Sequence, residues 1–149
     1  MPEAKDLPEK KESDPKGSFF FLIFVFLTAV LLDQLTKFMF FRASSGFANA
    51  AFAFSLPLPS WLMYTTYFIV LAAIIAYCLR RWPRLDLAAR LAWTLVFAGA
   101  ISNIAERLAL GYVRDFIFLF SGVFNLADFF ILLGIILLLW SPRRAGHDL

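Results

Sequence analysis

The sequence predicts an all-α integral membrane protein of four transmembrane helices. Both termini are expected in the cytoplasm, with a small extracytoplasmic loop or strand segment between helices 1 and 2. Three observations predict it. Of the 149 residues, 61% are hydrophobic and 18% aromatic, and the mean hydropathy is +0.75, well above a soluble domain of this size. Four apolar stretches succeed one another along the chain. Ten of the 14 Lys and Arg residues fall on one side of the alternation those stretches impose.

Residues 1–17 are polar and carry Lys5, Lys10, Lys11 and Lys16 among acids, which predicts a disordered cytoplasmic tail. Span 1 is expected over 18–41. Its uncharged run, Ser18 to Leu32, holds 15 residues and gives about 22 Å of helix, short of the roughly 30 Å hydrocarbon core. The helix must therefore take in Asp33 and Lys37. The run is long, aromatic and lacks a small-x-small site, so an anchoring helix fits better than a cleaved signal. Residues 42–60 end in Leu-Pro-Leu-Pro-Ser and read as a loop, with a short strand expected around Asn49–Phe54.

Span 2 runs from Trp61 to Leu79 and is uniformly apolar; Arg80, Arg81, Pro83 and Arg84 follow as a basic turn. Span 3 covers 86–107, closed by Asn103, Glu106 and Arg107. Its uncharged core, Leu91–Ala105, is again only 15 residues. A connection over 108–124 holds Gly111, Asp115 and Gly122. Span 4 runs from Phe124 to Trp140, so the membrane domain is 18–141, followed by a second cytoplasmic tail over 142–149.

Lys and Arg placement sets the orientation. One face receives the tail lysines, Arg80, Arg81, Arg84, Arg90, Arg143 and Arg144; the other receives Lys37, Arg42, Arg107 and Arg114. Asp33, Glu106 and Asp128 then all lie near the outer membrane boundary. A charged group at bilayer depth costs roughly 2.5–3.5 kcal/mol on insertion scales, so three at one level read as a site.

Helical spacing groups these residues. Asp33 and Lys37 are i,i+4; Asn103, Glu106 and Arg107 share a face; Asn125 and Asp128 are i,i+3 at the start of span 4. Each has a plainer reading. Asn125 and Asp128 suit a helix N-cap, Asp33 and Lys37 a structural ion pair, Glu106 the exit of span 3, and Asp115 a solvated loop. Together they allow two carboxylates to share one proton in a poorly hydrated place. Such a pair draws a proton from water while giving one to a carbonyl oxygen, and requires no cofactor, metal or histidine. The only histidine, His147, is the third residue from the end, and the single cysteine, Cys78, reads as a packing residue. The charge of +3 is too small and too scattered for a nucleic-acid surface. A monomer is expected.

The order of the motifs resembles the lipoprotein signal peptidase (signal peptidase II) family. Asp33-Gln34-Leu35-Thr36-Lys37 is similar to its D-Q-x-[ST]-K signature, and Asn49 to Ser55 resembles N-x-G-x-A-F with Ala51 at the usual glycine. Ser102 to Arg107 resembles G-N-x-x-D-R with serine for glycine and Glu106 for aspartate. Val113 to Ile117 matches V-x-D-F-I, and Phe124 to Asp128 matches F-N-x-A-D. The five boxes cover about residues 33–128.

The resemblance implies a membrane-embedded aspartic endopeptidase of the bacterial cytoplasmic membrane, acting near its outer face. Its substrates would be prolipoproteins already diacylglyceryl-modified, cut just before the lipidated cysteine. It carries the catalytic pair onto Asp115 and Asp128. Asn49, Asn103, Arg107 and Asn125 would bind substrate or orient the pair, and Asp33 and Lys37 would support the site. Glu106 reaches one methylene further than the family's aspartate, so its hydrogen bonds must shift. Both outer segments are short for the family, implying a trimmed strand platform and flap.

Three rival readings remain open to the sequence. A catalytically inactive paralogue would bind lipidated proteins without cutting. A proton or cation relay would need polar residues through the full membrane depth, and the inner halves of spans 1, 3 and 4 are almost wholly apolar. A serine–lysine peptidase using Lys37 with Ser44 or Ser45 has only proximity in its favour.

Overall fold

A computed structural model describes residues 15–50, 59–120 and 122–140. The long apolar runs form helices because nothing inside them breaks the hydrogen-bond ladder. α1 spans Pro15–Arg42, α2 Ser60–Arg81, α3 Leu87–Leu110 and α4 Leu126–Trp140. α1, α2 and α3 are each long and apolar enough to cross a membrane, and α4 is a shorter apolar helix of 15 residues. As the length argument requires, α1 runs straight through Asp33 and Lys37 for 28 residues.

Residues 15–17, which the sequence assigns to the disordered tail, are helical and belong to α1. Residues 1–14 and 141–149, which hold the rest of the expected tails, lie outside the described residues, as does Ala51.

The basic turn after α2 is a short 3₁₀ helix, Trp82–Arg84. α3 starts at an Asp86 N-cap, whose carboxylate accepts the Ala89 N–H at 2.8 Å. It ends on Gly111, which takes the left-handed conformation (φ 82°) and returns its N–H to the Arg107 carbonyl.

α3 is the central element. Gln34 meets Ser102 and Lys37 meets Glu106, so α1 and α3 run parallel. α4 runs antiparallel to α3 at close range. Gly99 lies against Ala127 and Ile131, and Gly134 against Ala92 and Val96, so small residues let the backbones approach. α2 joins through Tyr64, whose hydroxyl donates to the Arg107 carbonyl (3.1 Å), and through Tyr77, whose ring meets Trp93 at a 50° tilt.

The connections carry more strand than the sequence suggests. β1 is Phe47–Asn49, just before the position expected for it, and residues 51–58 lie outside the described residues. β1 pairs antiparallel with β2 (Val113–Asp115), setting Asn49 opposite Val113 and Phe47 opposite Asp115. β3 (Ile117–Leu119) and β4 (Gly122–Phe124) form a hairpin leading into α4. Its turn places Phe120 at φ 50° with a fully exposed ring.

Candidate active site

The ends of α1 and α3, the start of α4 and the β1–β2 pair gather the polar residues. The site is best built from Asn125. Its side-chain oxygen accepts the Asp128 N–H (3.1 Å), while Asp128 Oδ2 accepts the Asn125 N–H (3.1 Å). This is a reciprocal cap, and it satisfies donors that the start of α4 would otherwise leave unpaired. The cap leaves the Asn125 amide nitrogen free to turn outward, where it donates to Asp115 Oδ1 at 2.6 Å. One asparagine thus binds both carboxylates. The plain reading of this pair as a helix cap is realised, and the same two residues also line a cavity.

The remaining oxygens are also taken. Asn49 Nδ2 donates to Asp115 Oδ2 at 2.8 Å from β1, and Asn103 Nδ2 donates to Asp128 Oδ1 at 2.9 Å from α3. The other end of the Asn103 amide accepts from Lys37 Nζ at 2.7 Å. Its orientation follows from charge: the ammonium demands the oxygen and the carboxylate demands the nitrogen. Burial pushes the Asp115 carboxyl above its ordinary value. The hydrogen bonds from Asn49 and Asn125 oppose that rise, and the nearby Asp128 charge adds to it.

Asp115 and Asp128 open onto one cavity of about 660 Å³. Asn49, Asn103, Arg107 and Asn125 share its polar end, while Ala100, Ile131, Leu132 and Ile135 line an apolar part that runs along α3 and α4. Tyr67 of α2 borders it, with the Arg107 guanidinium 5.4 Å from the ring centroid.

Asp33, Lys37 and Glu106 stand behind this lining. Lys37 is fully buried and bridges Asp33 Oδ2 at 2.7 Å and Glu106 Oε2 at 3.3 Å. Glu106 therefore does not share the cavity with Asn103 and Arg107, its expected companions on one helix face. Its extra methylene carries the carboxylate to Arg114, at 2.6 Å from both Nε and Nη2. The sequence alone assigns no role to Gln34, Ser102, Arg114 or Tyr67; for the first three the signal is adjacency to Asp33, Asn103 and Asp115.

Fold and site together define a helical membrane protein with a carboxylate-bearing cavity at one end of its bundle. The family model for Signal peptidase (SPase) II matches residues 25–142, and the chain belongs to that family. It is 30% identical over 142 residues to a lipoprotein signal peptidase of Fusobacterium nucleatum, covering 83% of this chain and 86% of that protein. It is 34% identical over 107 residues to the lipoprotein signal peptidase of Shewanella baltica, covering 67% of this chain and 63% of the relative's length. Two solved structures of bacterial membrane enzymes obtained by the in meso method share the fold. One has a TM-score of 0.67 at 23% identity, covering 87% of this chain and 93% of that one. The other has a TM-score of 0.65 at 22% identity.

Proposed function

We propose that the protein is an aspartic-type endopeptidase of the bacterial cytoplasmic membrane that removes signal peptides from diacylglyceryl-modified prolipoproteins. Cleavage falls just before the lipidated cysteine, both termini are cytoplasmic, and the cavity lies near the outer face. One observation carries the reading: Asp115 and Asp128 line the same cavity and are joined through a single asparagine.

In this reading the pair holds one proton. The ionised carboxylate takes a proton from water as its oxygen attacks the scissile carbonyl, and the protonated one gives its proton to the carbonyl oxygen. The tetrahedral adduct then collapses: the carboxyl that took the water proton gives it to the leaving nitrogen as the C–N bond breaks, and an adduct hydroxyl returns its proton to the other carboxylate as the carbonyl re-forms. The three asparagines are neutral donors, so they orient the carboxylates without fixing which one is charged. Arg107 and Asn49 border the space a peptide backbone would occupy, and the apolar lining along α4 suits acyl chains. Lys37 and Asp33 support the site from behind.

The test is incubation of purified protein with a diacylglyceryl-modified prolipoprotein, beside Asp115→Asn and Asp128→Asn. The reading expects cleavage by the wild type alone. Retained binding without cleavage by the wild type would replace the peptidase by a binding protein, and cleavage by either variant would remove the dyad.

A further inference from the structure

Six side chains behind the cavity close a circuit. Gln34 Nε2 donates to Ser102 Oγ at 2.8 Å, and Ser102 Oγ donates to Asp33 Oδ2 at 2.6 Å. Asp33 and Glu106 both meet Lys37, Glu106 grips Arg114, and Arg114 Nη2 donates back to Gln34 Oε1 at 3.0 Å. Two cations face two carboxylates, so the ring is neutral, and the hydroxyl and amide each accept from one neighbour while donating to the next. Such closure is what a buried charge network needs to persist in a low dielectric.

The ring touches the chain at two informative places. Arg114, the residue before Asp115, gives its backbone N–H to Glu106 Oε2 at 3.0 Å. Ala127, the residue before Asp128, gives its backbone N–H to Asp33 Oδ1 at 2.8 Å. The two carboxylates sit on different elements, a strand and a helix start, and the ring holds the backbone N–H of the residue preceding each.

We infer that this ring sets the spacing of Asp115 and Asp128, with Gln34, Ser102 and Arg114 as positioning residues for the reaction. The inference rests on the reading that those two aspartates react. Ser102 and Glu106 then act together. The serine hydroxyl supplies the link between Gln34 and Asp33, and the longer glutamate supplies the link between Lys37 and Arg114. A one-carbon retreat at Glu106, or loss of the hydroxyl at Ser102, opens the same circuit.

The experiment compares full-length wild type with Ser102→Ala, Gln34→Leu, Arg114→Met and Arg114→Lys on a diacylglyceryl-modified prolipoprotein. It reads kcat, KM and the pH dependence of kcat. The expected result is a kcat roughly 10–100-fold lower with KM within about threefold, since the substrate-facing lining is untouched. The pH profile of kcat shifts as well, because the spacing of two carboxylates sets how tightly they share a proton. Arg114→Lys keeps the charge, loses the two-pronged grip and stays within about threefold of Arg114→Met. Values of kcat within twofold of wild type, or lower kcat with an unmoved pH profile, overturn the inference.

A thermal cycle separates the inference from the peptidase reading. Ser102 and Arg114 bind opposite ends of the Gln34 amide, so the Tm losses of Ser102→Ala and Arg114→Met are less than additive when combined. Additive losses overturn the ring. If wild type fails to cleave, the proposed function falls, and the ring stands or falls on this cycle.

Discussion

Gly99→Ala is the most discriminating change outside the polar cluster. A Cβ built on Gly99 falls well inside contact of the Ala127 carbonyl oxygen and 2.8 Å from Ile131 Cγ1. Carbon atoms prefer separations of about 3.5 Å or more, so α4 must retreat by at least roughly 0.7 Å. The obstacle is backbone, and α4 has little freedom there, because the Ala127 N–H is held by Asp33. Overpacking of this kind costs about 1–3 kcal/mol, and alanine's better helix propensity returns at most about 1 kcal/mol. The expected net loss is about 1–2 kcal/mol of stability. Activity should suffer more. Ala127 directly precedes Asp128, and if Asp128 reacts as proposed, a misplacement near 1 Å costs about 100-fold in rate. Gly134→Ala is the matched control: its Cβ meets the Ala92 carbonyl oxygen at 2.6 Å in the same interface, but about 9 Å of helix beyond Asp128. Thermal unfolding and prolipoprotein cleavage measured on both variants decide the matter. Similar Tm losses with a far larger activity loss in Gly99→Ala are expected. Equal activity in the two variants would refute the claim that α4 placement governs the carboxylates.

Three further outcomes follow from the geometry. Lys37→Met leaves Asp33 and Glu106 facing each other without the ammonium between them, at about 3–5 kcal/mol. A Tm fall of roughly 10 °C or more is expected, and an unchanged Tm would contradict the bridging role. Burial holds the Asp115 proton to higher pH in the folded protein than in the unfolded chain, so stability falls as pH rises from the ordinary aspartate range through the raised folded value. Tm measured across that window should decline with pH in wild type more steeply than in Asp115→Asn; identical slopes would reject the raised pKa. Gly111→Ala meets no atom within 4 Å yet keeps a φ of 82°, so about 1 kcal/mol of pure backbone strain is expected, with less in Gly111→Asn. A neutral alanine variant by Tm would show that the helix end relaxes.

The parts of the site legible in sequence are those set by helical spacing alone. Asp33 and Lys37 had to meet because four residues make one turn, and Asn125 with Asp128 had to cap the helix that follows. The need for α1 to carry charge came from length. What spacing cannot give is the partner across an interface. Glu106 lies on the expected side of α3, but its rotation toward Arg114 and away from the cavity depends on β2, brought there by pairing with β1 more than 60 residues earlier. The strands are three residues each, too short for an alternating pattern, so the sequence shows β2 to β4 only as connection, and most of the strand expected around Asn49–Phe54 lies outside the described residues. Gly99 and Gly134 look like ordinary members of apolar runs until the opposing backbone is in place.

The central claim is that Asp115 and Asp128 act as one proton-sharing unit, and a double-substitution comparison tests it most directly. Cleavage and binding of a diacylglyceryl-modified prolipoprotein are measured for Asp115→Asn, Asp128→Asn and the two combined. The account predicts that either single change removes cleavage to background, that the combination costs nothing more, and that substrate still binds. A single variant retaining a tenth or more of wild-type cleavage, or a combined loss equal to the product of two partial losses, would contradict it.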